Sequence, residues 1–215
     1  MPAGDTTDTL VEKLQIRMEN PEADKFTDTM CIKALDYAHI TSAQLLRPEY
    51  LAEFQAIEPD LATASGVVGL SGLTYDVLNY GYGIIMVEDD NSGEYFQRIS
   101  PARLRRYENS YLASGTTNKL YYVLDGEINV LGYTDVGKIT VNYLRAPIEM
   151  STSVDPLLNS FYHNIMLNFA EAQLWTANKD LTRRKIKLEE AYAQIEMLNA
   201  KYTIPLGIGI TPLNR

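Results

Sequence analysis

Leu120-Tyr121-Tyr122-Val123-Leu124-Asp125-Gly126-Glu127-Ile128-Asn129-Val130-Leu131 is the stretch on which the fold turns. Two apolar runs flank Asp125-Gly126, the residue pair that fills the two positive-φ positions of a type I′ hairpin turn. Downstream, Lys138 to Leu144 alternates with period two and puts Ile139, Val141 and Tyr143 on one face, which predicts a third strand and a meander. Upstream, Gly66, Gly69, Gly72, Gly81 and Gly83 punctuate short strand-like runs. Gly83 to Val87 reads as a buried strand, Glu88 to Gly93 as a turn, and Tyr95 to Ile99 as the returning strand. Ser100-Pro101 opens a short helical turn through Arg106, with proline at the first position.

Helical periodicity frames this region. Thr9-Leu10-Val11-Glu12 matches a capping box and starts a helix carrying Leu10, Val11, Leu14 and Met18, stopped by Asn20-Pro21. A second helix is predicted from Asp24 to Leu46, with Phe26, Met30, Lys33/Ala34, Tyr37, Thr41 and Leu45 on one face. Cys31, Leu35 and Ala38 widen that face, so the helix is expected to be well buried. Tyr50 to Ile57 reads as one more short helix before Pro59. After Pro147, Ser153 or Asp155 caps and Pro156 fits a first helical turn. Leu158, Phe161, Tyr162, Ile165, Phe169 and Ala172 form one stripe, and Asn178-Lys179-Asp180 interrupts it. Leu181, Leu188, Ala191, Tyr192, Ile195 and Leu198 form another, ending near Tyr202. The pair reads as an antiparallel helical hairpin.

The expected fold class is therefore α+β. N-terminal helices (1–60) and a C-terminal helical hairpin (151–202) form a bundle, with an inserted antiparallel β-domain (61–150). The remaining segment, 203–215, is apolar and bounded by proline and glycine. Pro205, Gly207, Gly209 and Pro212 oppose a helix there. We read it as an extended arm whose Ile204, Pro205, Leu206, Ile208, Ile210 and Leu213 lie in a groove or add a strand on a neighbouring subunit. The alternative is that it packs back on its own sheet.

Charge argues against nucleic-acid affinity. Asp and Glu number 28 against 19 Lys and Arg, a net charge of -9, so phosphate backbones are not attracted in bulk. The single cysteine, Cys31, precludes an intrachain disulfide and a zinc framework. No apolar run approaches the roughly 20 residues needed to span a bilayer, and the first residues lack a signal-peptide pattern, so folding in a reducing cytoplasm is expected. Fifteen tyrosines stand against five phenylalanines. Tyrosine suits half-wet subunit contacts, and equally a β-sheet with aromatic faces.

Reaction chemistry has few candidates. His39 and His163 are single helical histidines, and no pair at helical spacing holds a metal. Gly69-Leu70-Ser71-Gly72 is too short for a nucleophile elbow or phosphate loop. Asp89-Asp90 sits in a turn and Glu189-Glu190 on a helix surface, where solvation accounts for both. No catalytic, cofactor-binding or metal residue is assigned. Of two basic clusters, Arg183, Arg184, Lys185 and Lys187 read as a solvated face with local ion pairs. For Arg98, Arg103, Arg105 and Arg106, contact with an acidic partner and a solvated face both stand.

The order of elements resembles the head-to-tail adaptor (connector, head-completion) proteins of tailed-phage necks. Phe26-Thr27-Asp28 opens the second helix. Ile139-Thr140-Val141-Asn142-Tyr143-Leu144-Arg145-Ala146-Pro147 is similar to the strand that leads out of their β-domain. Ala170-Glu171-Ala172, Trp175 and Lys179-Asp180 precede a last helix ending Gln194-Ile195-Glu196-Met197-Leu198. The likeness spans Leu10 to Tyr202 and rests on order and spacing. Leu61 to Tyr82 departs from it, lacking the Leu-Pro lead-in common in the family. The resemblance implies a structural, non-enzymatic virion protein of the neck, made in the host bacterial cytoplasm. It implies a ring of twelve copies under the portal protein, contact with a downstream tail or nozzle protein, and DNA passing through the lumen without specific binding. It also implies an arm reaching toward the portal. Other readings are a stopper or tail terminator, a carbohydrate-binding module, which leaves the helices unexplained, and an enzyme working through carboxylates.

Overall fold

A computed structural model describes residues 5–19, 25–63, 66–104, 119–131 and 137–201. The protein is α+β, with four α-helices and two mostly antiparallel sheets among the described residues. It divides into two compact units, Met1–Tyr50 with Glu149–Arg215, and Leu51–Ile148. The expected arm, 203–215, lies outside the described residues.

The first unit holds α1 (Thr7–Arg17), α2 (Asp28–Leu45), α3 (His163–Ala177) and α4 (Leu181–Lys201). The cap of α1 is Thr6, whose hydroxyl accepts from the Thr9 amide at 3.3 Å, so the helix starts ahead of the expected Thr9–Glu12 box. A tertiary anchor decides this. The Thr7 amide donates to Asp155 at 2.8 Å and the Thr7 hydroxyl to the Val154 carbonyl at 2.8 Å. Asp155 is thereby engaged and does not cap α3. That helix follows a 3-10 turn, Ser160–Tyr162, in which the Asn159 side chain accepts from the Phe161 amide.

The buried side of α2 matches the expected one at Cys31, Ala34, Leu35 and Ala38 and departs from it elsewhere. Cys31, Ala34, Leu35, Ala38, His39, Ser42 and Ala43 face inward, whereas Met30, Tyr37 and Leu45 are exposed. Small side chains at three-to-four spacing let a neighbouring helix approach closely, and that close approach outweighs burying the bulkier stripe. α3 packs against both α2 and α4. Phe26 meets Trp175 edge-to-face at 6.3 Å, and Phe169 meets Tyr192 likewise at 5.5 Å.

The second unit comprises two four-stranded sheets. One has the order β1 (Gln55–Ala62), β8 (Lys138–Leu144), β3 (Ile84–Asp89), β4 (Glu94–Tyr95). The other is β2 (Val67–Gly69), β7 (Glu127–Leu131), β6 (Leu120–Leu124), β5 (Gln97–Arg98). The quoted hairpin forms in register, Leu124 opposite Glu127, with Asp125 at φ 51° and Gly126 at φ 83°. The meander does not form. β8 leaves the hairpin's sheet and sits between β1 and β3 in the other, because Ile139, Val141 and Tyr143 are fully buried when the two sheets share a core. Val87 joins them from one sheet, and Val68, Tyr121, Ile128 and Val130 from the other.

Three further expectations change. The run Tyr95 to Ile99 splits at Phe96, so that β4 pairs with β3 and β5 runs parallel to β6. The helix expected over Tyr50 to Ile57 is replaced by short 3-10 turns, Pro48–Tyr50 and Ala52–Phe54, and by β1. Pairing with β8 overrides the local helical spacing, and a register shift between Glu58 and Leu61 accommodates Pro59 on this edge strand. Strand structure thus begins at Gln55, ahead of Leu61. Gly83 is the tightest point: an added Cβ would lie 2.3 Å from the Leu78 carbonyl.

Candidate functional site

The structure places few of the sequence-predicted site residues. Ile204, Pro205, Leu206, Ile208, Ile210, Leu213, Arg105 and Arg106 fall outside the described residues. Arg103 closes a 3-10 turn, Pro101–Arg103, begun at Ser100 with proline at its first position, as the dipeptide predicts. Arg98, one strand earlier, is described: its guanidinium lies 5.4 Å from the Tyr82 ring.

Around that contact the β-unit offers an aromatic surface. Tyr80 and Tyr82 sit in the 3-10 turn Tyr80–Gly83 and are 58% and 84% exposed. Asn79 and Tyr80 both hold positive φ, 52° and 56°. For a tyrosine this conformation costs about 1–2 kcal/mol. It turns the Tyr80 phenol over the hairpin tip, 3.2 Å from where a Gly126 Cβ would stand. An exposed tyrosine pair with an arginine is the composition of contact surfaces. Sequence signalled it only as a tyrosine excess.

The helical unit presents a second surface. Among the described side chains of α4, only Ala191 and Ile195 are buried. Leu181, Ile186, Tyr192 and Met197 are exposed, Leu181 at 66%. Phe161, expected in the buried stripe before α3, is 87% exposed. Of the basic residues opening α4, Arg183 and Lys185 are exposed with local partners, as expected of a solvated face, whereas Lys187 also reaches inward to the buried Glu171. Arg183 pairs with Asp180 at 3.5 Å, Lys185 with Glu189 at 3.7 Å and Lys187 with Glu190 at 3.0 Å.

A polar seam joins α1, α3 and α4. Arg17 donates to Asn164 at 2.6 Å, Asn168 at 3.2 Å and Glu171 at 3.0 Å. Glu171 is buried, and Lys187 stands 3.4 Å from it. Burial pulls the Lys187 ammonium down, but its bond to Glu190 and the charge of Glu171 outweigh that and leave it above its ordinary value. A cavity of about 310 Å³ opens here between Arg17, Trp175, Ile186 and Lys187. At the other end His163 faces two acceptors, Asp5 at 3.2 Å and the Leu158 carbonyl at 2.8 Å. The Lys13 hydrogen bond, aided by His163 against the cost of burial, holds the Asp5 carboxyl below its ordinary value. Each charge in the seam has its counter-charge, so the arrangement fastens helices together. Sequence reading missed it, although Asn164, Asn168 and Glu171 at four-three spacing make a polar line on an otherwise apolar helix.

The acidic turn of the β-unit is similarly tied. Asp89 accepts from the Asn91 amide at 3.0 Å, the Ser92 hydroxyl at 2.8 Å and Lys119. Asp90 accepts from Thr140 at 2.6 Å. Cys31 is buried, and desolvation pushes its thiol up to about 11. No helix among the described residues is long and apolar enough to cross a membrane. No family model and no curated protein sequence matches the chain.

Proposed function

We propose that this chain is a structural ring subunit, a head-to-tail adaptor that docks beneath a phage portal and joins it to the tail, with genome DNA passing through the lumen. The observation that carries the reading is α4, a long helix that packs on α3 through Ala191 and Ile195 and leaves Leu181, Ile186, Tyr192 and Met197 exposed. Exposed apolar side chains along a helix of a folded unit suit subunit contact. The exposed Tyr80, Tyr82 and Arg98 suit contact with a further neck or tail component. A net charge of -9 suits a passage that lets DNA slide without binding it. In this reading the helical ends of each copy form a bundle, twelve copies close the ring, and residues 203–215 reach toward the portal as an arm.

Mass measurement of the purified chain, alone and mixed with its portal, tests the proposal. A complex containing many copies of the chain per portal is the expected result. Truncation after Tyr202, or Arg103→Glu with Arg105→Glu and Arg106→Glu, should leave a folded chain that docks poorly. Failure to bind any portal, together with turnover of a substrate, sinks the adaptor reading in favour of an enzyme.

A further inference from the structure

We infer that copies of this chain meet through two different helix faces, the outward stripe of α2 in one copy seating against the outward stripe of α4 in the next. The inference rests on the ring reading above and adds the surfaces that would close the ring. On α2, Met30, Lys33, Tyr37, Ile40 and Gln44 recur at alternating spacings of three and four. Met30, Lys33, Tyr37 and Gln44 are exposed and Ile40 is half-buried. On α4, Ile186, Glu190, Ala193, Met197 and Ala200 recur at four and three, all exposed, on the side away from Ala191 and Ile195. Both stripes therefore carry the seam spacing of packed helices. The α2 stripe lies off the face buried inside the unit, as do Ala193, Met197 and Ala200 on α4, whereas Ile186 and Glu190 border the cavity beside Arg17 and Trp175.

The two stripes complement each other in bulk and in charge. α2 offers the large Met30, Tyr37 and Ile40; α4 offers gaps at Ala193 and Ala200 on either side of Met197. Each stripe carries one charge. Lys33 makes no ion pair among the described residues, and Glu190, paired on one side with Lys187, keeps a half-exposed carboxylate. With the two helices parallel and in register, pairing α2 with α2 would set Lys33 against Lys33, and pairing α4 with α4 would set Glu190 against Glu190. Only the mixed contact puts opposite charges together, so it is favoured over both symmetric ones. A contact between unlike faces of one chain propagates head to tail and ends in a ring where the rotation closes.

A cysteine trap with a charge swap tests this on the full chain. In the double variant Tyr37→Cys/Ala193→Cys, oxidation at assembling concentration should give a ladder beyond the dimer on a non-reducing gel. Either single variant should give none. The buried native Cys31 does not compete. Lys33→Glu or Glu190→Lys alone should weaken self-association about tenfold by sedimentation, and the two together should restore it. Unchanged melting temperatures would show that these exposed changes act on assembly and not on folding. Cross-links formed as readily by single variants, or charge swaps without effect on a chain that still assembles, overturn the assignment of faces and leave the ring reading standing. A chain that stays monomeric both alone and on its portal overturns both.

Discussion

α3 and α4 are neighbours in sequence, separated only by Asn178 to Asp180, and they are used in opposite ways. α3 buries every residue except Asn164, Gln173, Thr176 and Ala177, and takes even His163, Asn168 and Glu171 into the interior. α4, longer by almost two turns, buries Ala191 and Ile195 among its described side chains and turns Leu181, Ile186 and Met197 to solvent. Both sequences are amphipathic enough to predict a helix. What differs is the number of neighbours: α1, α2 and α4 all pack on α3, whereas α4 leans chiefly on α3. An inner helix is set by what surrounds it. An outer one keeps apolar residues that folding of its own unit does not require, which is where an assembly surface is expected.

The sharpest way to break the contrast is to empty a site on α3. Phe169→Ala removes a fully buried ring that also meets Tyr192, and should destabilise the helical unit by about 3–5 kcal/mol in urea unfolding. A loss below about 1 kcal/mol would mean that α3 is not the inner helix. Next in size is a pH effect on the polar interior beside α3. His39 sits at about 4, below its ordinary 6.5, because burial penalises the imidazolium and nearby His163 adds repulsion. The unfolded chain then binds more protons than the folded one between about pH 6.5 and 4. Stability should be full above that window and fall by up to about 3 kcal/mol as pH drops through it. His39→Gln should flatten this slope, and a slope that survives the change would place the titrating group elsewhere.

Glu171→Gln comes third. It removes the buried charge that Arg17 and Lys187 share, and should cost about 1–3 kcal/mol because both cations keep partial access to water. Thermal unfolding of the variant at several salt concentrations would show whether the seam fastens α1 and α4 to α3. The smallest effect on stability belongs to α4. Met197→Ser should lie within about 0.5 kcal/mol of the parent while lowering self-association. A large loss of stability in the isolated chain would show that this face is already covered within one copy.

Local pattern carried much of the fold. Asp125-Gly126 placed the hairpin and its turn type, because only a few residue pairs accept two successive positive φ angles. The period-two run Ile139, Val141, Tyr143 named the buried face of β8. The helices of the chain were legible from spacing, and the interruption at Asn178-Lys179-Asp180 fell where α3 ends and α4 begins. Which face of α2 turns inward was legible only in part: Cys31, Ala34, Leu35 and Ala38 read as buried and are, but Met30, Tyr37 and Leu45 read with them and are exposed. Two stripes compete on that helix, and the choice depends on how closely α3 can approach Ala34, Ala38 and Ala43. Nor was the seam legible: Arg17 lies far along the chain from Asn164, Asn168 and Glu171, and only folding brings them within hydrogen-bond distance.

The amino-acid order alone determined the α+β class, the hairpin at Asp125-Gly126 and the acidic balance of the chain, since each follows from steric limits or from counting charges. Tertiary structure decided the rest. It set β8 into the opposite sheet from the hairpin, started β1 at Gln55, sent Met30 and Tyr37 outward, and buried Glu171 between two cations. The physical reason is common to all four. Each is a competition between partners distant in sequence, won by the contact that packs most closely or leaves no buried polar group unpaired.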